Sequence, residues 1–417
     1  MLAALTLSFA AAAVCVATTA AREAPDARAS RVVAAGAQAP DQAGEWQAIP
    51  LPGATCGGPP SPETGERAPY HYYLSEPNLA EDEAPAGILI MLSGGGACYR
   101  DGDAPPEAQG AARELHCKEF TNFEDRYFGD AAFASNAIAI VLPYVRRQQP
   151  DNPFKDYVYV AVPYCTGDVH AGVMTEPHDY DPDPGASFEV LHRGHLNVRA
   201  VVDDVYGRHP EDLPAVLTGF SAGGMGSVYN FPLVSERWPR TTLVPDSGLG
   251  PPHPLSLLAT DVRQIAARWG SLGLLPEYCD SYECLAFSSR LLAAHAQVYD
   301  GLHGNGLPWR PFGFLQSQRD ETLTDYFGLS ACSFEVGLMQ GIAEFGANVR
   351  GFVPATDKHV FGIINPLEPP FISQGGVDPI EWFGQLATAT RPSEMPLDAI
   401  DGWMPCNPAF TPLLGAR

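Results

Sequence analysis

The chain has 417 residues, of which 45% are hydrophobic and 18% charged. That balance excludes a disordered or fibrous polymer and supplies enough apolar surface for a sizeable core. With 49 acidic against 25 basic side chains the net charge is −24, so neither a phosphate backbone nor an anionic bilayer surface is an attractive partner. The 41 glycines and 40 prolines call for many ordered turns between short elements.

Residues 1–21, MLAALTLSFAAAAVCVATTAA, are apolar and end in small side chains, with no Lys or Arg before the apolar core. They read as a signal peptide or N-terminal anchor. Residues 22–45 are rich in Ala, Arg and Pro and read as a flexible spacer. Residues 46–417 remain as one domain, and no stretch in them is long and apolar enough to span a bilayer. Of nine cysteines Cys15 falls in the leader, leaving Cys56, Cys98, Cys117, Cys165, Cys279, Cys284, Cys332 and Cys406. An even count in an exported chain reads as disulfides, and the lack of any Cys-x-x-Cys speaks against zinc.

In chain order, His71–Leu74 reads as a first strand. Gly87–Leu92 is a continuous apolar run, the mark of a strand buried on both faces, and leads into Ser93-Gly94-Gly95-Gly96-Ala97. Ala137–Leu142 and Val158–Pro163 follow as strands, and residues 195–206 carry helical spacing. Leu213–Leu217 leads into Gly219-Phe220-Ser221-Ala222-Gly223-Gly224, with a helix opening near Ala222 and a strand at Thr241–Val244. Residues 255–310 read as a helical insertion over the site. Phe312–Gln316 reads as a strand, 333–348 as a helix and Arg350–Pro354 as the last strand. Strands alternating with helices predict a doubly wound, mostly parallel α/β sheet covered on both faces.

Gly219-x-Ser221-x-Gly223 between an apolar strand and a helix has the form of a nucleophile elbow. The glycines leave room for a strained serine turn, and the helix N-terminus offers amides to a developing oxyanion. In an α/β-hydrolase-like chain the base follows the serine, which leaves His253, His295, His303 and His359. Only His359 closes a late strand. His295 lies in a helical pattern and reads as a structural histidine, whereas His253 and His303 read as surface or lid residues. Two acids stand at strand ends between nucleophile and base, Asp320 and Asp246, and spacing alone leaves both open. Asp357 is too close to His359 in sequence to orient it. Ala222 offers one oxyanion amide, and the Gly94–Ala97 run offers the others. A phosphate loop would need a Lys-Ser/Thr that this run lacks.

These residues resemble the pectin acetylesterase family. Leu92-Ser93-Gly94-Gly95-Gly96-Ala97-Cys98 is similar to the family's Leu-Glu-Gly-Gly-Gly-Trp-Cys, and Pro163-Tyr164-Cys165-Thr166-Gly167-Asp168-Val169-His170-Ala171-Gly172 to its Pro-Tyr-Cys-x-x-Asp-x-x-x-Gly. The Gly219–Gly224 elbow and Asp246-Ser247-Gly248 also match, and the Asp320 and Asp357-Lys358-His359-Val360 loops match loosely, so the resemblance spans residues 56–365. It implies a triad of Ser221, Asp320 and His359, with an oxyanion hole from the amides of Gly96, Ala97 and Ala222. It also implies the disulfides Cys56–Cys165 and Cys98–Cys117. Cys279–Cys284 is a short local pairing, and it leaves Cys332 with Cys406. The chain departs from the family at Ala97, where an aromatic residue is usual and a more open pocket follows, and at Ser93, which replaces an acid.

The expectation is a secreted or periplasmic, monomeric serine carboxylester hydrolase that needs no cofactor and no metal. It would remove acetyl or short acyl groups from a polysaccharide or similar ester substrate. The rival readings are a lipase- or deacylase-type esterase for longer acyl chains or acylated proteins, and a non-catalytic glycan- or lipid-binding protein on the same fold.

Overall fold

The computed structural model describes residues 46–80, 83–98, 143–180, 188–250, 265–279, 284, 288–301, 309–326, 329–362, 372–373 and 375–403. The expected leader, the spacer, the Ala137–Leu142 strand, His253, His303, Cys117 and Cys406 lie outside these residues.

A nine-stranded sheet organises the described chain. Its strands are β1 (Gln47–Thr55), β2 (Pro69–Ser75), β3 (Gly87–Leu92), β4 (Tyr157–Val162), β7 (Ala215–Phe220), β8 (Thr241–Asp246), β9 (Phe312–Leu315), β10 (Val349–Val353) and β11 (Ala399–Ile400), in the order β1-β2-β4-β3-β7-β8-β9-β10-β11. β5 (His178–Tyr180) and β6 (Phe188–Val190) form a separate antiparallel hairpin. From β4 to β11 all pairings are parallel, while β1 and β2 add an antiparallel edge. The expected doubly wound α/β architecture is therefore present.

Every side chain of β3 and β4 is buried, which is why both read as unbroken apolar runs. Alternate residues nevertheless feed different layers. Ile88, Ile90 and Leu92 join one core with Val198, Val201 and Val202 of α1 (Gly194–Arg208), Val228, Phe231 and Val234 of α2 (Ala222–Arg237), and Leu291 and Leu292 of α3 (Ser288–Val298). Leu89 and Met91 join the opposite core with Tyr144, Phe154 and, from α6 (Pro379–Thr388), Trp382, Phe383 and Leu386. α4 (Glu321–Tyr326) and α5 (Ala331–Ala343) lie between β9 and β10.

Several elements differ from the sequence expectation. β10 is not the last strand: β11 follows it, too short at two residues for any periodicity, and is docked beside the Gly351 amide bonded to Asp398 Oδ1 at 2.8 Å. α6 escaped notice although its start is well marked. Asp378 caps the amides of Ile380 and Glu381 at 2.8 and 3.0 Å, and Pro379 sits in the first turn. The segment expected as an insertion over the site divides in two. Trp269 packs beside the glycine loop after β3, whereas α3 packs against α2.

The expected disulfides Cys56–Cys165 and Cys279–Cys284 are formed. Cys98 and Cys332 are also disulfide-bonded, and the partners expected for them lie outside the described residues. Among the described residues no helix is long and apolar enough to cross a membrane.

Candidate active site

Ser221 stands between β7 and α2 with φ +57° and ψ −122°, a conformation that costs a non-glycine residue roughly 1–3 kcal/mol and persists only where its surroundings enforce it. The enforcement is visible in the glycines. A Cβ on Gly219 would overlap the Gly223 carbonyl, and one on Gly223 would overlap the Leu92 carbonyl of the neighbouring strand. The Ser221 amide donates to the Asp246 carbonyl at 2.9 Å, which ties the turn to the end of β8.

The next two strand ends in the sheet carry the candidate acid and, one loop later, the base. Asp320 follows β9, and its carboxylate is fully buried. It accepts from His359 Nδ1 at 2.9 Å on both oxygens, from Gln316 Nε2 at 2.9 Å and from the Leu323 amide at 2.9 Å. His359 follows β10. Because Nδ1–H of the neutral ring is committed to Asp320, Nε2 is left as the acceptor. Nε2 is buried and has no hydrogen-bond partner among the described residues.

Asp246, the other candidate acid, does not bond to the ring. Its carboxylate accepts from the Phe361 amide at 3.1 and 2.9 Å, from the Gly362 amide at 2.5 Å and from Ser247 Oγ at 3.0 Å. Ser247 Oγ in turn accepts from the Val360 amide at 2.9 Å. Asp246 and Ser247 thus grip the loop that carries His359, and the Asp246 carbonyl holds the Ser221 turn. Burial pushes the Asp246 carboxyl up to about 6, against the pull of the Gly362 and Phe361 amides, Ser247 and His359.

Opposite the serine, the loop after β3 passes close enough that a Cβ on Gly94 would stand 2.9 Å from Ser221 Cβ. Gly95 and Gly96 take φ values of +148° and +77°, open to glycine alone at little cost. Ala97 and Ala222 are buried in one apolar cluster with Tyr164, Val169, Ile265 and Trp269. Ala97 itself is 3% exposed. Trp269, one member of that cluster, also donates from Nε1 to the Cys98 carbonyl at 3.0 Å.

His295 and His192 are each committed to a main-chain carbonyl. His295 donates from Nε2 to the Val228 carbonyl and meets the Tyr278 hydroxyl at Nδ1, as its helical context suggested. His192 is held by the Thr166 carbonyl, and burial brings it down to about 3. Asp168 is fully buried and bonded to Thr166 Oγ1 and the amides of His170 and Gly194. Among the described residues no group of three or more His, Cys, Asp or Glu could hold a metal ion.

The family model described as Pectinacetylesterase matches residues 69–249. That span of the chain is similar to the pectinacetylesterases. The matched segment carries Ser221, the Gly94–Ala97 loop and Asp246, and ends before Asp320 and His359. Pectinacetylesterases are carboxylic ester hydrolases, and this chain is an enzyme of that class. Two crystal forms of the Wnt deacylase Notum from Drosophila share the fold. One is 17% identical with a TM-score of 0.55, covering 86% of this chain and 97% of that one. The other is 16% identical with a TM-score of 0.51, covering 87% and 98%. At these identities the likeness speaks for the fold alone. No curated protein matches the chain in sequence.

Proposed function

We propose that this pectinacetylesterase relative is a serine esterase in which Ser221 attacks the ester carbonyl, His359 acts as general base and Asp320 orients it. The observation that carries this reading is the double contact of Asp320 with His359 Nδ1, which leaves Nε2 as the acceptor while Asp246 anchors both the serine turn and the histidine loop. Nε2 takes the serine proton as the Ser221 oxygen bonds to the carbonyl carbon. It then hands that proton to the departing alcohol, and water cleaves the acyl-enzyme by the same route. The amides of Gly96, Ala97 and Ala222 form the oxyanion hole. The reaction needs no metal or organic cofactor.

The substrate is an acetylated polysaccharide or similar short acyl ester. The small side chains of Ala97 and Ala222, buried in one apolar cluster, suit a small acyl group beside the hole. The disulfides suit an oxidising compartment, and so an exported enzyme.

Ser221→Ala is expected to lower p-nitrophenyl acetate hydrolysis by about 10⁵–10⁶-fold, and a fluorophosphonate probe should label Ser221 alone. Full activity in the variant, or no labelling of the natural chain, would overturn the mechanism and leave the non-catalytic reading. Comparing acyl chains of two, four and eight carbons tests the substrate class. A preference for eight carbons would support the deacylase reading in its place, the activity named for the Notum neighbour.

A further inference from the structure

Among the described residues, five that are not glycine have positive φ: Val169, His170, Ser221, Ser247 and Val360. Ser221 is the proposed nucleophile, and Ser247 and Val360 bond to each other beneath the histidine loop. Val169 and His170, at +48° and +57°, are consecutive, and the proposed mechanism does not use them. For two adjacent side-chain-bearing residues this is a costly turn. It is held in place by Asp168, whose Oδ1 accepts from the His170 amide at 3.1 Å and from Thr166 Oγ1 at 2.6 Å.

What the turn presents is specific. His170 Nε2 lies 2.8 Å from the Ser93 carbonyl, so it must donate. Burial brings His170 down to about 4, and the ring is neutral near pH 7. The Val169 amide donates to Tyr164 Oη at 2.6 Å, which turns the phenol proton towards the Gly96 carbonyl at 3.0 Å. The two rings lie 4.6 Å apart. On its other side the turn presses on α2: a Cβ on Gly226 would meet the Val169 carbonyl at 2.7 Å, and Asn230 Nδ2 donates to the His170 carbonyl at 2.9 Å.

A peptide unit is planar and trans, so fixing a carbonyl oxygen fixes the opposite direction of the next N–H. Tyr164 on the Gly96 carbonyl therefore sets where the Ala97 N–H points, and His170 on the Ser93 carbonyl sets the start of the same loop. We infer that Tyr164 and His170 are positioning residues that aim the oxyanion amides of the Gly94–Ala97 loop and couple that loop to the helix bearing Ser221. This rests on the serine-esterase reading above, since without an oxyanion there is nothing to aim at.

Loss of one oxyanion donor costs about 10²–10³-fold in kcat, and mis-aiming one should cost a substantial part of that. Tyr164→Phe is expected to lower kcat for p-nitrophenyl acetate about 10–100-fold per fluorophosphonate-titrated site, with KM nearly unchanged. Affinity for a trifluoromethyl ketone, whose adduct places an oxyanion in the hole, should fall by the same factor as kcat/KM. His170→Ala should behave likewise, and His170→Gln, which can still reach with a side-chain N–H, should recover part of the loss. Unchanged kcat per titrated site in both Tyr164→Phe and His170→Ala would overturn the inference. So would a loss of kcat with unchanged ketone affinity, because the oxyanion donors would then still be aimed. If Tyr164→Phe does not fold, His170→Gln against His170→Ala decides by the same two readouts. Absent esterase activity or Ser221 labelling in the natural chain would remove the underlying reading and this inference with it.

Discussion

The ends of β8 and β9 are neighbours in the sheet, with Asp246 paired to Leu315, and each delivers a buried carboxylate towards the same histidine loop. They do different work there. Asp320 takes the imidazole N–H of His359 and has a side-chain amide and a helix amide completing its shell. Asp246 takes two main-chain amides of that loop, one and two residues past Val360, and leaves the ring alone. A strand-end carboxylate acquires its role from whether it faces a side chain or the backbone of the loop opposite. In the proposed triad one orients the base and the other holds the platform on which the base stands.

The strongest way to break this division is Asp320→Asn. An amide there can donate to Nδ1 and stabilise the wrong tautomer, so kcat should fall about 10³–10⁴-fold at pH 7, with the unfolding midpoint little changed. If Asp246→Asn were the more damaging to kcat, the assignment of the two acids would be reversed.

Asp246 should instead reveal itself in stability. Its carboxyl is raised from 3.8 to about 6 in the folded chain. The unfolded chain therefore loses this proton first as pH rises. The stability contribution is complete below the unfolded pKa, declines through the interval and is lost once pH passes about 6. Between pH 4.5 and 7.5 the natural chain should lose about 2 kcal/mol that Asp246→Asn does not lose, read by urea unfolding at the two pH values. Parallel pH slopes for both proteins would argue that Asp246 is ionised throughout.

Gln316 offers the smallest and sharpest test. Its amide donates to Asp320 and its carbonyl accepts from the Leu249 amide at 3.2 Å, so it links the two strand-end systems. Gln316→Leu strips one donor from the Asp320 carboxylate and makes it more basic. A loss of about 3–10-fold in kcat is expected, with the acid limb of the kcat/KM profile displaced to higher pH. An unmoved limb would show that Gln316 serves only the backbone.

Chemistry that depends on a short local pattern was legible in the sequence. The Gly219–Gly224 elbow, the Gly94–Gly96 turn and the fully apolar β3 each announce a backbone constraint in the residue types themselves. Chain order singles out His359 as the candidate base by removing its competitors. The choice between Asp320 and Asp246 was not legible from spacing, since both close buried strands. It turns on a hydrogen bond across 39 residues. Tyr164 and His170 stand in the sequence only as part of a motif, because nothing local tells that a phenol and an imidazole meet two carbonyls of a loop 68 and 77 residues upstream. The short β11 and the antiparallel β1 were missed because pairing defines them more than composition does.

The Cys56–Cys165 bond spans 109 residues and encloses β2, β3 and β4. Parallel strands pair across long intervening segments, so a sheet of this order is slow to find its register. A closed loop of that length removes denatured-state entropy worth about 4–5 kcal/mol in the chain-entropy account. Its second cysteine lies between the β4 strand and the Asp168 turn. Once this bond has formed, the search for the strand end that supports Tyr164 and His170 is confined to one side of the growing sheet. Under reducing conditions the same residues must be brought together by collapse alone, so the oxidation state of the compartment governs how quickly a freshly made chain becomes an enzyme.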